Sequence, residues 1–257
     1  MSVRFVLVRP KESGNVGAAA RAIKNFAFAE LAWVAPRCQL DAKAKARASH
    51  AGDVLDNIQT FDTLAAAVAD CQLALATTAR SRVAEDIVYT PRQAATTFAQ
   101  PFAGEQRVAL VFGPEDFGLS NDDLMHCQAS ITIPTGEYAS LNLAQAVQVL
   151  AYEWYVTGLL EPDSDTVSGT ADAGAADIVP AVARAEYEAM YVQLGDVLHL
   201  IGYTDAQREK SALTLFRNVF DSATMTERDV AAVRGLWRQV AWAARQNPDN
   251  LPKDSRE

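Results

Sequence analysis

The first 160 residues alternate short apolar runs with stretches whose apolar positions recur at helical spacing. Val3–Val8 predicts a strand. Val16, Ala19, Ala20, Ile23 and Ala27 then lie on one face of a helix. Leu31–Ala35 predicts a second strand, a third ends within Val54–Thr60, and Leu73–Thr77 is a fourth. Val108–Phe112 is bounded by Gly113, and a short strand at Ile131–Ile133 is closed by Pro134. Helical patterns fill the intervals at Ala42–His50, Phe61–Ala69 and Asn121–Cys127. A longer helix carries the stripe Leu143, Ala146, Val147, Leu150, Ala151 and Trp154. Strands alternating with helices predict an α/β fold, a mostly parallel sheet covered on both faces.

The pattern then breaks. Glu161–Asp177 is acidic, rich in small residues and without periodicity, which predicts a flexible linker. Beyond it three helices are expected, at Ala181–Ile201, Asp205–Phe220 and Thr226–Arg245. Asp205 and Thr226 are candidate N-caps, and Thr226 stands three residues before Asp229 in capping-box spacing. The expected organisation is a domain over residues 1–160, a linker over 161–179 and a small all-helical extension over 180–257.

Composition narrows the field. No run approaches the ~18 apolar residues of a membrane span, and the N-terminus lacks the pattern of a secretory signal. Cys38, Cys71 and Cys127 are odd in number and widely spaced, which suits a reducing compartment. A cytoplasmic protein with no membrane association is expected. The net charge of −9 argues against a broadly basic surface. Residues 1–160 hold 13 Lys+Arg against 16 Asp+Glu, and the remainder 10 against 16, so a nucleic-acid site has to be a local patch.

The common catalytic signatures are missing. There is no Walker phosphate loop, no G-x-G-x-x-G after a strand and no G-x-S-x-G elbow. His50, His126 and His199 are scattered, so no metal site is expected. Three segments remain. Gly14-Asn15-Val16-Gly17 follows the first strand and leads to Arg21 on the helix face opposite Val16. Val108–Phe112 runs into Gly113-Pro114-Glu115 and on to Gly118-Leu119, at the strand end where open α/β sheets place ligands. Ile133-Pro134 leads through a loop with Glu137 and Tyr138 to Ser140-Leu141-Asn142, which opens the long helix. Each alone also suits an ordinary turn or cap.

In this order the segments resemble the three motifs of the SPOUT (SpoU–TrmD) class of RNA methyltransferases. The motifs stand here as Asn15/Gly17/Arg21, then Gly113/Glu115/Gly118/Leu119, then Ile133/Pro134/Ser140/Leu141/Asn142/Leu143/Ala146. Within that class, Thr77-Thr78-Ala79-Arg80-Ser81-Arg82 and the helical tail, notably Leu215-Phe216-Arg217 and Arg234-Gly235-Leu236, resemble the TrmJ-type tRNA enzymes. The chain departs from that pattern in a third-motif loop one residue shorter and in Pro114 before Glu115.

The resemblance implies a C-terminal trefoil knot, a homodimer through the knotted domain and S-adenosyl-L-methionine (SAM) as methyl donor. The expected reaction is 2′-O-methylation of a ribose in tRNA, at position 32 of the anticodon loop. Arg21, Asn15, Ser140 and Asn142 would serve catalysis. Thr77, Thr78, Ala79, Gly113, Glu115, Gly118, Leu119, Ile133, Pro134, Ser140, Leu141 and Asn142 would hold SAM. Arg21, Arg80, Arg82 and Tyr138 would contact RNA. The Arg234/Arg238/Arg245 stripe is a candidate second grip, while Lys43, Lys45 and Arg47 fit a solvated helix face. Two alternatives remain open: the same chemistry on rRNA or another tRNA position, and a non-catalytic RNA-binding protein that keeps the fold.

Overall fold

The computed structural model describes residues 2–79, 88–98, 106–137, 140–159, 182–221 and 225–246. The chain divides into two compact units, Met1–Ile178 and Val179–Glu257. The expected linker falls wholly outside the described residues, as do Arg80, Arg82 and Tyr138.

Unit 1 is built on seven parallel strands: β1 (Ser2–Val8), β2 (Glu30–Val34), β3 (Gln59–Phe61), β4 (Leu73–Thr77), β5 (Val88–Tyr89), β6 (Arg107–Phe112) and β7 (Ala129–Ile131). Their spatial order is β3-β2-β1-β6-β4-β7-β5. The helices between them are α1 (Ser13–Asn25), α2 (Ala42–Ala48), α3 (Gly52–Asp56), α4 (Leu64–Val68), α5 (Pro91–Phe98), α6 (Asn121–Leu124) and α7 (Leu143–Leu159).

Side chains alternate across the sheet and both faces are covered. Phe5, Leu7, Leu75, Leu110 and Phe112 point into one core with Val16, Ile23 and the α7 stripe of Val147, Leu150 and Trp154. Val6, Val8, Ala74, Ala76, Ala109 and Val111 point into the other, under Leu64, Ala67 and Val68 of α4. This two-sided burial explains why the strands read as unbroken apolar runs.

Several boundaries differ from expectation. Val54 and Leu55 belong to the one-turn helix α3, and only Gln59–Phe61 pairs as strand. The strand placed at Ile131–Ile133 lies two residues earlier, in register with Leu75–Thr77 of β4. Strand β5 and helix α5 have no counterpart in the sequence pattern.

Unit 2 comprises α8 (Arg184–Leu200), α9 (Glu209–Asp221) and α10 (Glu227–Gln246). Arg184, fully buried, forks onto Asp221 at 2.7 and 3.2 Å, and Tyr191 donates to the same carboxylate at 2.9 Å. Arg217 forks onto Glu188 and lies over the Tyr191 ring, tying α9 to α8. Thr226 and Asp229 exchange side-chain-to-backbone bonds at 2.9 and 3.1 Å, a capping box at the start of α10. No helix among the described residues is long and apolar enough to cross a membrane.

Candidate active site

A cleft of about 450 Å³ opens at the carboxyl ends of β4, β6 and β7, the position where parallel sheets place ligands. Its walls include Thr77, Thr78 and Ala79 after β4, the whole turn from Phe112 to Leu119 after β6, and Ile131 and Ile133 from β7. Ser140, Leu141, Leu143 and Ala146 close it from the start of α7. The turn is tight. A Cβ on Gly113 would overlap Gly118 and Leu119, and Gly118 takes the left-handed conformation at φ +69°. The chain folds back on itself here, and the whole turn lines the cleft. Thr77 fixes the end of β4 by donating its hydroxyl to the Val111 carbonyl at 3.0 Å.

The three sequence motifs meet beside this cleft through side chains. Glu115 accepts from the main-chain N–H of Lys11 at 3.0 Å and of Glu12 at 3.2 Å, and from the Asn15 amide at 2.9 Å. The other end of Asn15, its Oδ1, accepts from Asn142 Nδ2 at 2.9 Å. Asn142 in turn caps α7, its Oδ1 accepting from Ala144 N–H at 3.0 Å. A continuous polar chain therefore runs from the β6 turn through the head of α1 to the head of α7. Helix α1 has no cap from its own N-cap side chain, so the Glu115 carboxylate supplies negative charge at its amino end. Burial pushes the Glu115 carboxyl up, but the Asn15 amide and the main-chain donors outweigh it and hold it below the usual carboxylate range.

A second tether holds the same turn from its far end. Arg9, in the left-handed region at φ 49°, forks onto Asp123. Asp123 also accepts from the amide and hydroxyl of Ser120, both at 2.7 Å, which completes a capping box on α6. Burial raises the Asp123 carboxyl, yet Arg9 and Ser120 together hold it low. Lys11 pairs with Asp116 and sits 5.7 Å from the centre of the exposed Phe117 ring. The β1–α1 connection thus grips the β6 turn along its length.

The remaining candidates are distributed more widely. Ser140 and Leu141 line the cleft, whereas Pro134 lies exposed beyond it. Asn15 and Asn142 do not line the cleft and belong to the polar chain just described. Arg21 is exposed and unpaired among the described residues. It lies six residues beyond Asn15, about 9 Å along the helix and 120° around it. Lys43 pairs with Glu12 at 2.8 Å, while Lys45 and Arg47 face solvent. Sequence reasoning passed over Arg9, Lys11, Asp116 and Asp123. The available signal was a cluster of charges immediately after a strand end, on both β1 and β6.

The lining fits SAM better than a phosphorylated nucleotide. Among the described residues the wall carries no Lys, Arg or His to neutralise phosphates, and its charged members are Glu115 and Asp116. A cationic sulfonium with a neutral purine suits such a wall, and the volume is within the ~300–1,000 Å³ of small-molecule sites. No group of three or more His, Cys, Asp or Glu able to hold a metal occurs among the described residues.

Comparison with known proteins agrees with this architecture. The SpoU rRNA Methylase family model matches residues 2–152. A tRNA (cytidine/uridine/adenosine-2′-O-)-methyltransferase TrmJ of Pseudomonas aeruginosa is 34% identical over 244 residues, 95% of each chain. A tRNA (cytidine/uridine-2′-O-)-methyltransferase TrmJ of Sodalis glossinidius is 34% identical over 99% of this chain and 96% of its own. The crystal structure of TrmJ from Z. mobilis superposes with a TM-score of 0.79 at 34% identity, covering 93% of this chain and 99% of that one. With the family model spanning more than half of its length and relatives matching it almost end to end, the chain belongs to the SpoU methylase family.

Proposed function

We propose that this protein is a SAM-dependent tRNA ribose 2′-O-methyltransferase acting at position 32 of the anticodon loop. The observation that carries the reading is the extent of the likeness. The family model stops at residue 152, but the tRNA-modifying relatives match through the helical unit as well. That favours tRNA over rRNA, because the match includes the part of the chain outside the shared catalytic domain. Residues 1–160 form the catalytic domain in this reading, 161–179 the linker and 180–257 the accessory domain, in a cytoplasmic enzyme. The trefoil knot belongs to the same reading, supported by a strand order that sets β4 between the later β6 and β7.

Bound SAM would supply an electrophilic methyl group on its sulfonium. The protein's part is to hold and align, and alignment alone can account for up to ~7–11 kcal/mol of a barrier. The main chain of the 113–119 turn and of Ile133, Ser140 and Leu141 would cradle the cofactor, with Thr77, Thr78 and Ala79 closing one side. Glu115, Asn15 and Asn142 spend their hydrogen bonds on one another, so their role is to keep the three walls in register. Arg21 is free to grip the target phosphate and stabilise the developing 2′-alkoxide; a guanidinium keeps its proton and is a poor base. Arg80, Arg82 and Tyr138 would add RNA contacts.

A homodimer completes the reading. Phe26, the C-cap of α1, meets Tyr152 and Tyr155 of α7 at ring-centroid distances of 5.8 and 5.7 Å, and both tyrosines are exposed. This aromatic patch on the α1/α7 face suits burial against a second copy.

The test is transfer of labelled methyl from SAM to purified tRNA and, separately, rRNA, with the products identified by mass spectrometry. A 2′-O-methylated nucleoside mapped to position 32 is expected. Label in rRNA alone would keep the chemistry and reject the substrate. A loss of tenfold or less in single-turnover rate for Arg21→Ala would reject the alkoxide role.

A further inference from the structure

Unit 2 carries a second concave surface, a groove of about 840 Å³ between α8 and α10. One wall is Gln193, Asp196, Val197, His199 and Leu200; the other includes Arg238, Trp242 and Arg245. Trp242 is 61% exposed, whereas Trp33 and Trp154 are buried. Arg238, Trp242 and Arg245 are spaced i, i+4, i+7 on one face of α10. The indole therefore has a guanidinium one turn before it and another one turn after.

The cations of unit 2 divide in an informative way. Arg184 and Arg217 are committed to Asp221 and Glu188, and Arg234 is held by Glu186 at 3.1 Å. Arg238 and Arg245 have no ion pair or hydrogen bond among the described residues. In a chain of net charge −9, two uncommitted arginines flanking an exposed indole call for a partner that is both aromatic and anionic. The other occupants of this face are Ala241 and Gln246. A docking amphipathic helix would meet Val197 and Leu200 but leave both guanidinium groups unanswered.

We propose that this groove binds an unpaired nucleotide of the RNA substrate, with its base stacked on Trp242 and its flanking phosphates on Arg238 and Arg245. Every base has a π face to offer the indole, and the phosphates on either side answer the two guanidinium groups. Val197 and Leu200 give the base an apolar floor. Asp196, exposed at the rim, repels phosphate and accepts from an exocyclic amine, which sets the orientation of the base. His199 is held by Glu209 at 3.0 Å and contributes shape to the wall. The inference rests on the tRNA reading above but concerns a site in the other unit.

The experiment measures equilibrium binding of an unmodified tRNA transcript by the full-length protein at several salt concentrations. The variants are Trp242→Ala, Trp242→Phe and the Arg238→Gln/Arg245→Gln pair, with melting temperature and SAM affinity as controls. Losing the stack should weaken binding about five- to a hundredfold without changing the salt slope, and Phe should recover most of it. Losing both arginines should make the slope of log K against log salt shallower by about 1.4. Wild-type affinity and slope in all three would overturn the proposal. A change in oligomeric mass without a change in RNA affinity would also overturn it, assigning the groove to a contact between copies. Methyl transfer by the wild type is measured on the same transcript. Transfer with Trp242-independent binding rejects the groove alone, and Trp242-dependent binding without transfer rejects the methylation reading alone.

Discussion

Glu115 receives three hydrogen bonds, two from main-chain N–H groups that have no other acceptor in the turn and one from Asn15. In Glu115→Gln one oxygen becomes an NH₂ that faces a backbone donor, so a bond is lost and a repulsion is gained. Bonds to charged groups contribute about 1.5–3 kcal/mol, and the lower end applies here because the side chain is only partly buried. The variant should lose about 1–2 kcal/mol of unfolding free energy in urea titrations. SAM binding measured by calorimetry should weaken too, because the 113–119 turn loses its tether to α1. Unchanged SAM affinity would show that Arg9 and Asp123 hold the turn unaided. The sequence displays Glu115, Asn15 and Asn142 as three separate polar residues at element ends. Nothing local reveals that they touch, because Asn15 and Asn142 are 127 positions apart and only the sheet order brings α1 and α7 together.

At the scale of elements, α1 and α2 cross so closely that a Cβ on Gly17 would overlap the carbonyl oxygen of Ala44. Gly17→Ala gains intrinsic helix propensity, yet the backbones must part. A net loss of about 1–3 kcal/mol is expected from overpacking, read as a lower melting temperature; a rise would mean α2 shifts freely. In unit 2, Asp221→Asn strands the buried Arg184 with half its partner charge, and breaking such a pair costs about 3–5 kcal/mol. The α8–α9 pairing should then melt first in hydrogen exchange, with α1 and α7 protected as before.

What could be read from sequence at this scale follows from length and environment. Strands β4 and β6, buried on both faces, stand out as apolar runs. Strand β5 has two residues, and α5 buries only Pro91, Ala94 and Ala95, too few to form a stripe. Strand β7 was displaced because Ile133 is apolar but belongs to the cleft wall; Thr78 N–H already takes the Ile131 carbonyl, and pairing with β4 stops there. The cleft was foreseeable because it lies at strand ends, while the Arg9–Asp123 clamp depends on register across the sheet.

For the whole molecule, burial and charge pairing set a stability window in pH. Burial pushes the carboxyls of Asp70, Glu115 and Asp123 up, yet their partners, Arg4 and Arg107, Asn15, and Arg9, leave all three below the ordinary carboxylate range. A carboxylate with a depressed folded pKa contributes stability above its unfolded pKa and loses it as pH falls toward the folded one. Unfolding free energy should therefore drop below about pH 4.5, by up to about 1.4 kcal/mol per pH unit for each group. Glu115→Gln should show a shallower acid limb. The alkaline side has the opposite sign. Burial raises the Cys71 thiol from 9.0 to about 12, so the unfolded chain ionises first. That contribution is complete below pH 9 and fades as pH rises toward 12. Cys71→Ala should flatten the alkaline limb while leaving the acid limb intact, in urea midpoints taken from pH 3 to 11. Parallel curves for wild type and variant above pH 9 would mean that the thiol reaches solvent before the fold opens, and that the sheet under α4 breathes independently of global unfolding.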